Sequence, residues 1–262
     1  MTEATPHYAV RLARSESDLR AAQRLRYAVF VEELGGGGAM VDHAARLERD
    51  RFDPYFDHLL LLDDSRAPDD RVVGVYRLLR ADQAAQAGQF YSEQEYDLSV
   101  LKASGRPLLE LGRSCLHPDY RGGMGMYHLW HALASYVEAH GIEILFGVAS
   151  FHGTDVGALA APLSLLHYRH LAPEDLRVTA RREGFAAMDR IPAAEMDRKA
   201  AMLAVPALIK AYLRLGGFVG QGAFVDRAFN TTDVCLVLDV ARMNDSQRAI
   251  YARPVPLRPV AS

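Results

Sequence analysis

The residues best suited to chemistry are an acid and a base in one apolar strand. Glu110 and Arg113 lie in Leu-Leu-Glu-Leu-Gly-Arg-Ser-Cys-Leu, residues 108–116. A carboxylate in apolar surroundings holds a proton more tightly than in water, which suits a general base. Side chains three apart in a regular strand point to opposite faces, but Gly112 could allow a bulge that turns both the same way. The alternative is that Glu110 only forms a salt bridge with Arg113.

A glycine-rich segment follows this strand and opens a helix. It contains Arg121, Gly122, Gly123 and Gly125, directly after a Pro-Asp turn. The first amides of a helix have no partners within the helix, and flexible glycines could wrap them around an anion. The sequence therefore predicts a phosphate-binding cradle beside the strand that carries Glu110.

An acidic and aromatic loop precedes the second predicted strand. Its sequence, Arg-Phe-Asp-Pro-Tyr-Phe-Asp-His over residues 51–58, places Asp53 and Asp57 among three aromatic side chains. Such a group is typical of a lid or of a pocket for a cation. It is also typical of a surface loop in which Asp53 forms the turn before Pro54. The sequence alone leaves both interpretations open.

Length and composition limit the class of protein. The chain has 262 residues, 50% of them hydrophobic. The simplest expectation is one domain over residues 1–262 with a C-terminal helical and strand extension from about 156 to 250. A formal net charge of −3 disfavours a general nucleic-acid binder, which needs a basic face. Two separated cysteines and the absence of a signal-like start indicate a reduced, cytoplasmic protein. Because no apolar run approaches the roughly 20 residues that span a bilayer, any membrane contact would be peripheral, on the inner face.

Hydrophobic periodicity predicts an α/β (α+β) fold with elements in the order β-α-β-β-β-α-β. Ser15 and Asp18 predict the start of a helix that ends at the glycines of residues 35–38. Residues 58–63 and 72–79 predict an antiparallel pair of strands. Further elements are predicted as a first strand at 8–13, a helix from 126 to 137, a strand at 142–149, helices at 156–171 and 207–215, and strands at 222–225 and 234–240.

This element order, with a glycine cradle at the second long helix, resembles the GNAT superfamily of N-acyltransferases. The resemblance implies a mixed, largely antiparallel central sheet flanked by helices. Met124 and Met126 stand where that superfamily usually has glycine and then glycine or alanine. The cradle therefore disfavours strict binding of the coenzyme A pyrophosphate.

A more specific resemblance covers residues 26–240. Three motifs resemble the autoinducer synthase branch, whose members take their acyl group from acyl carrier protein: Arg26-Tyr-Ala-Val-Phe30, Asp53 with Asp57-His58, and Glu110-Leu-Gly-Arg113. Longer matches resemble the ornithine–acyl carrier protein N-acyltransferase family within that branch. They are Gly-Val-Ala-Ser-Phe-His-Gly-Thr-Asp at 147–155, Pro-Leu-Ser-Leu-Leu-His-Tyr at 162–168, Leu-Ile-Lys-Ala-Tyr-Leu-Arg-Leu-Gly at 208–216, and Asn-Thr-Thr-Asp-Val at 230–234.

The resemblance implies transfer of a 3-hydroxyacyl chain from the phosphopantetheine thioester of acyl carrier protein to the α-amine of ornithine. The product would be lyso-ornithine lipid, the first intermediate of ornithine lipid biosynthesis. No metal or resident cofactor is implied. Related enzymes acylate glutamine or glycine, so these acceptors stay as alternatives, as does a non-catalytic module that binds acyl carrier protein.

The same resemblance assigns roles to individual residues. Glu110 would be the general base, with Arg113 as its catalytic neighbour. Arg26 would hold the substrate carboxylate, and Phe30 would line the substrate site by packing rather than reacting. The side-chain ammonium of ornithine would meet Asp53 and Asp57. The cradle of Arg121, Gly122, Gly123 and Gly125 would bind the single phosphate of phosphopantetheine.

Three further patterns carry weaker predictions. His58 and Asp63 have the spacing found in glycerolipid O-acyltransferases, but on a strand they would face opposite ways. Cys115 has apolar neighbours, which are typical of a buried structural thiol. His167 and His170 are spaced for metal binding on a helix, with no third ligand evident in the sequence.

Overall fold

A computed structural model describes residues 6–247 of the chain. Its strands are β1 (Tyr8–Leu12), β2 (Asp57–Asp63), β3 (Val72–Arg80), β4 (Tyr96–Asp97), β5 (Leu108–Leu116), β6 (Ile144–His152), β7 (Thr179–Ala180), β8 (Phe185–Ala186), β9 (Phe218–Val219), β10 (Ala223–Asp226) and β11 (Thr231–Asp239). Its helices are α1 (Glu16–Arg26), α2 (Ala81–Ala87), α3 (Ser99–Ala103), α4 (Gly125–Ala139), α5 (Ala160–His170), α6 (Arg198–Ala204) and α7 (Ala207–Arg214). A π-helical turn covers Tyr27–Glu33, and 3₁₀ turns cover Tyr91–Gln94, Pro118–Tyr120, Glu174–Leu176 and Val240–Arg242.

The described chain divides into two compact units, each built from two separate stretches. The first contains residues 6–79 and 111–141, and the second contains residues 80–110 and 142–247. Strand β5 contributes its first three residues to the second unit and the rest to the first. The expectation of a single domain over the whole chain stays a prediction. Within residues 6–247, none of the helices has the length and apolar character needed to cross a membrane.

Strand β2 is the centre of the sheet in the first unit. It pairs antiparallel with β1, in a register that joins Tyr8 to Asp63, and antiparallel with β3 on its other side. Strand β5 lies next to β3. The predicted hairpin of residues 58–63 and 72–79 is therefore confirmed.

Side-chain alternation along β2 gives this sheet two distinct faces. Leu60 packs with Ala22 and Leu25 of α1 in a buried apolar cluster. Leu61 faces α4 instead, because a Cβ placed on Gly125 would lie only 3.2 Å from Leu61 Cδ2. Helix α1 therefore covers one face of the sheet and α4 the other.

Helix α1 starts as its sequence predicts but ends differently. Ser15 caps it, since Ser15 Oγ accepts a hydrogen bond from the Asp18 amide at 3.2 Å. After Arg26 the helix widens into the π-helical turn, which ends at Leu34 before the predicted run of glycines. No pattern in the sequence predicts this widening, and single π turns are frequent at functional sites.

Strand β11 is the centre of the second unit. It pairs antiparallel with β6 along its full length and also with β9 and β10, and β10 pairs with β8. Strand β5 runs parallel to β6 through residues 108–110. The strands predicted at 142–149, 222–225 and 234–240 are confirmed. The helix predicted over 156–171 begins only at Ala160, and the predicted extension is described as far as residue 247.

Candidate active site

Six charged side chains of the first unit form a network that we term the ion cluster: Arg26, Arg77, Arg113, Glu48, Asp50 and Asp53. Its two innermost cations are fully buried, and two of its acids are no more than 3% exposed. Three cations thus face three carboxylates largely away from water. In such surroundings, removing one partner leaves an uncompensated charge, which is strongly destabilising.

Asp53 is the central acid of the ion cluster. Its Oδ1 accepts hydrogen bonds from Arg26 Nη1 at 2.6 Å and from Arg77 Nη1 at 2.8 Å, and its Oδ2 accepts one from Gln23 Nε2 at 2.9 Å. Burial alone would raise the pKa of Asp53, but Arg26 and Arg77 hold that pKa well below its ordinary range. Asp53 is therefore a carboxylate at neutral pH, with two guanidinium groups already bound to it.

Glu48 links Arg26 to Arg113 and was missed by sequence reasoning. Arg26 Nε donates to Glu48 Oε2 at 2.5 Å, and Arg113 Nε donates to Glu48 Oε1 at 3.1 Å. Burial alone would raise the pKa of Glu48, but Arg113, Arg26 and Arg77 lower it to about 2. A substrate carboxylate would have to displace Glu48 or Asp53 to reach Arg26. The role of Arg26 as a fork for substrate stays a prediction.

The backbone of β5 leaves regular strand geometry at Arg113. Its φ is +48°, a left-handed conformation that costs energy for a residue with a Cβ and that clusters at functional sites. This position is one residue after Gly112, where the sequence predicts a bulge. The Arg113 guanidinium also lies 5.9 Å from the ring centre of Phe30, which packs against the apolar cluster under α1. The charged end of Arg113 is therefore held by both a carboxylate and an aromatic ring.

Asp57 and Asp53 accept hydrogen bonds from different helices. Asp57 Oδ2 accepts a hydrogen bond from the Tyr136 hydroxyl of α4 at 2.6 Å, whereas Asp53 is bound by Arg26 at the end of α1. These helices cover opposite faces of the sheet. Asp57 is half-buried and Asp53 is 3% exposed, so the two predicted acids have different partners and different access to solvent.

Glu110 belongs to the second unit, where a 3₁₀ turn holds its carboxylate. The Tyr91 amide donates to Oε2 at 2.7 Å and the Ser92 amide to Oε1 at 2.6 Å, and Ser92 Oγ donates to Oε1 as well. Glu110 is 1% exposed and Ser92 is fully buried. These donors stabilise the ionised carboxylate and fix its orientation. Sequence reasoning placed Glu110 in apolar surroundings and missed Ser92, because nothing in a loop 18 residues earlier signals this contact.

The predicted cradle has the expected strand, turn and helix, but Arg121 has a protein partner in it. Arg121 donates to both carboxylate oxygens of Glu33, at 2.6 and 2.7 Å, and to the Leu116 carbonyl at 3.2 Å. An incoming phosphate would therefore compete with Glu33 for the guanidinium. Phosphate binding by Arg121 stays a prediction.

The three glycines of the cradle occupy positions with different steric and backbone constraints. Gly122 has a φ of +75°, which favours glycine, and a Cβ on Gly123 would meet nothing within 4 Å. A Cβ on Gly125 would lie 3.3 Å from the Tyr120 carbonyl as well as close to Leu61. Gly125 is thus explained by the close packing of α4 on the sheet, which leaves Gly122 and Gly123 as the open part of the cradle.

The weaker sequence patterns take structural roles. Cys115 is buried in the apolar cluster, and burial raises the pKa of its thiol to about 12, so the predicted structural thiol is confirmed. His58 donates through Nε2 to the Asp53 carbonyl at 3.0 Å, while Asp63 accepts from the Tyr120 hydroxyl at 2.6 Å. These separate partners, on a strand whose side chains alternate, confirm that His58 and Asp63 do not act together.

One group of acids in the second unit has its carboxylates close enough together to hold a metal ion. Carboxylate oxygens of Glu95, Asp226 and Asp233 lie within 4.8 Å of one another, and among residues 6–247 no comparable group includes His167 or His170. Glu95 lies more than 100 residues before Asp226 and Asp233 in the chain. No local spacing could therefore reveal this group of acids. The expectation that the protein has no metal stays a prediction.

Comparison with known proteins adds to this geometry. Residues 25–131 match the acetyltransferase (GNAT) domain family. A protein of Rhodobacter capsulatus named L-ornithine N(alpha)-acyltransferase is 61% identical over 257 residues, covering 97% of this chain and 98% of that protein. A protein of Brucella abortus with the same name is 42% identical over 247 residues, covering 92% and 88%. This chain belongs to the L-ornithine N(alpha)-acyltransferase family. It is therefore an acyltransferase.

Solved structures confirm the predicted GNAT-type fold of this acyltransferase. The structure of a CoA-dependent acyl-homoserine lactone synthase, BjaI, with MTA aligns with a TM-score of 0.53 at 15% identity. The alignment covers 94% of this chain and 88% of that one. Identity this low carries the fold alone. The mixed, largely antiparallel sheet flanked by helices agrees with it.

Proposed function

We propose that this acyltransferase moves a 3-hydroxyacyl chain from the phosphopantetheine thioester of acyl carrier protein to the α-amine of ornithine, giving lyso-ornithine lipid. The observation that carries the choice of ornithine is the relative from Rhodobacter capsulatus, with 61% identity over 97% of this chain. The carrier-protein donor and the lyso-lipid product rest on the sequence resemblance. The structure adds candidate groups for each step.

Glu110 is the proposed general base for the acceptor amine. An α-amine has a pKa of about 8 even at a chain terminus, so at neutral pH a proton must leave before it attacks the thioester. Glu110 would receive that proton directly or through a water molecule. The donors from Tyr91 and Ser92 keep its carboxylate in one orientation, which avoids reorganisation during the reaction.

The thioester carbonyl needs a hydrogen-bond donor as negative charge develops on its oxygen. We assign this donor to a backbone amide of β5 near Arg113, where the left-handed residue interrupts the regular strand. A single donor of this kind contributes about 3 kcal/mol to stabilising the transition state. The thiolate of phosphopantetheine then leaves, and the proposed chemistry uses no metal and no resident cofactor.

Asp57 is the proposed contact for the side-chain ammonium of ornithine. The sequence predicts Asp53 and Asp57 as equals, but Asp53 is buried with two guanidinium groups bound to it. Asp57 is half-buried, so its carboxylate is more accessible from solvent than that of Asp53, and it accepts a hydrogen bond from the Tyr136 hydroxyl. A charged hydrogen bond to the ammonium would favour ornithine over glutamine by about 1.5 to 3 kcal/mol, roughly 10- to 150-fold.

Acyl carrier protein is the proposed donor because its prosthetic arm carries one phosphate, whereas coenzyme A carries a pyrophosphate. Gly122 and Gly123 form the open part of the cradle, and Gly125 begins the helix behind it. Arg121 would turn from Glu33 to that phosphate. Met124 and Met126 occupy the positions where glycine or alanine would admit a larger anion.

The proposal is tested with the purified full-length chain and 3-hydroxyacyl carrier protein. Ornithine, glutamine and glycine are offered separately, with 3-hydroxyacyl coenzyme A as the alternative donor, and products are read by mass spectrometry. We expect an N-acylated ornithine and much higher kcat/KM with the carrier protein. A preference for glutamine or glycine would overturn the acceptor, and equal efficiency with coenzyme A would overturn the donor. Absence of product from every pair, with carrier protein still bound, would indicate a non-catalytic module.

A further inference from the structure

Helices α6 and α7 in the second unit share an unusual charge composition. Between Asp197 and Asp226 the chain has no acidic residue, while it has four cations. These cations are Arg198, Lys199, Lys210 and Arg214, and within residues 6–247 none of them forms an ion pair. Elsewhere in the described chain many arginines are matched to a carboxylate. Helices α6 and α7 together therefore carry four cations and no acid.

The most exposed large apolar side chain in the described residues lies on the same helices. Leu203 is 72% exposed, near the end of α6. Lys199 is four residues before it and so lies on the same side of the helix. Lys210 of α7 reaches back to the Leu203 carbonyl, with Nζ at 3.3 Å from that oxygen. Arg214 is one helical turn beyond Lys210.

These adjacencies define a continuous surface, which we term the α6–α7 stripe: Lys199, Leu203, Lys210 and Arg214. The opposite side of α7 is buried through Ile209 and Tyr212, so the orientation of that helix is fixed by packing. The stripe is thus a permanent feature of the folded unit: one apolar side chain set among cations.

We propose that the α6–α7 stripe docks on the surface of an anionic lipid bilayer. Cations next to an anionic membrane contribute about fivefold each in binding, from roughly 1 kcal/mol per residue. Leu203 would enter the headgroup region, while the long stems of the lysines keep their charges at headgroup level. This inference goes beyond the proposed acyl transfer and does not depend on the identity of the acceptor.

The chemistry of the stripe favours lipid over an acidic protein. A stable protein interface needs about 800 Å² from each partner and is usually centred on aromatic or arginine anchors in well-packed pockets. The single aromatic residue of α6 and α7, Tyr212, is buried, and the stripe offers one leucine on a convex helical surface. A lipid interface accepts such a leucine without a matching pocket.

The test is co-sedimentation of the full-length chain with vesicles. One set contains phosphatidylcholine alone, and the other contains equal parts of phosphatidylcholine and phosphatidylglycerol. We expect binding to the anionic set that weakens as salt is added. The variant Lys199→Gln, Lys210→Gln, Arg214→Gln should bind these vesicles about 100-fold more weakly. Leu203→Ser should weaken binding by roughly tenfold at unchanged charge.

A matched control removes the same charge from exposed arginines elsewhere. The variant Arg24→Gln, Arg182→Gln, Arg227→Gln should keep its affinity for anionic vesicles, and circular dichroism should show that all variants are folded. Equal losses in both triple variants would mean unspecific attraction and would overturn the proposal. It is equally overturned if the wild type binds neither vesicle. If the stripe variant keeps vesicle binding but loses acyl carrier protein, the stripe is a protein-docking surface instead.

Discussion

Replacing Asp53 by asparagine should show whether this acid stabilises the fold or binds the substrate. In Asp53→Asn the side chain keeps its shape, but Arg26 and Arg77 lose the charge that lies 2.6 and 2.8 Å from them. The ion cluster then has three cations against two acids. Breaking a buried pair in this way costs about 3 to 5 kcal/mol, because the remaining charges stay buried without compensation.

The matched control is Asp57→Asn. Asp57 is half-buried, and asparagine would still offer an oxygen to the Tyr136 hydroxyl. Because solvent screens a half-buried charge better than a buried one, we expect a smaller loss than for Asp53→Asn. Thermal unfolding of both variants, followed by circular dichroism, should show a midpoint lowered by roughly 6 to 20 °C for Asp53→Asn and much less for Asp57→Asn. In steady-state kinetics, the preference for ornithine over glutamine should fall more in Asp57→Asn than in Asp53→Asn.

The dependence of this effect on pH follows from the two lowered pKa values. Asp53 and Glu48 both have folded-state pKa values below their ordinary ones, about 2 for Glu48. Groups of this kind stabilise the fold fully above their unfolded pKa, near 4, and lose that contribution as the pH falls towards the folded value. The gap in stability between wild type and Asp53→Asn should therefore narrow below about pH 4.

One outcome would refute this reasoning. If Asp53→Asn unfolds like the wild type yet no longer distinguishes ornithine from glutamine, Asp53 receives the substrate ammonium, as the sequence predicts. The ion cluster would then be a weaker structural element than its burial implies.

The remaining predictions concern Glu110, its partner Ser92 and a buried thiol. Glu110→Gln should retain the fold and lower turnover by about 10² or more under chemistry-limited conditions, and near wild-type turnover would remove Glu110 as the base. Ser92→Ala removes one donor to Glu110 and should lower kcat by about tenfold or more with little change in KM, whereas Ser164→Ala, which deletes another fully buried hydroxyl, should leave kcat within about twofold. Cys115 should resist thiol reagents in the folded protein and react only on unfolding, as measured by the rate of its modification.

The sequence predicts the elements of this protein well where a local period or cap encodes them. Ser15 with Asp18 marks the start of α1, and the continuous apolar run within residues 58–63 marks a strand that is buried on both faces. The strand–turn–helix around the glycines is likewise a local signal. Each of these features depends on residues close together in the chain, so a pattern can carry it.

The ion cluster could not be predicted in the same way. Arg26 pairs with Glu48 and Arg113 pairs with the same acid, across separations of 22 and 65 residues. No period relates such partners, and neither Glu48 nor Arg77 belongs to a motif that sequence reasoning noticed. The contact of Ser92 with Glu110 could not be predicted either, because these residues are 18 positions apart and belong to no common motif.

Burial decides between the two roles that one motif can carry. An arginine near an acid has the right chemistry for binding an amino-acid substrate, and it has the same chemistry for holding two elements of a fold together. The Arg26 side chain is 0% exposed and already donates to two protein carboxylates. A substrate carboxylate would therefore have to displace one of these structural partners before it could bind Arg26. Asp57 is half-buried, so a substrate can reach its carboxylate from solvent. Substitution of Asp57 should therefore change which amine is acylated, whereas substitution of Arg26 or Asp53 should change whether the protein folds.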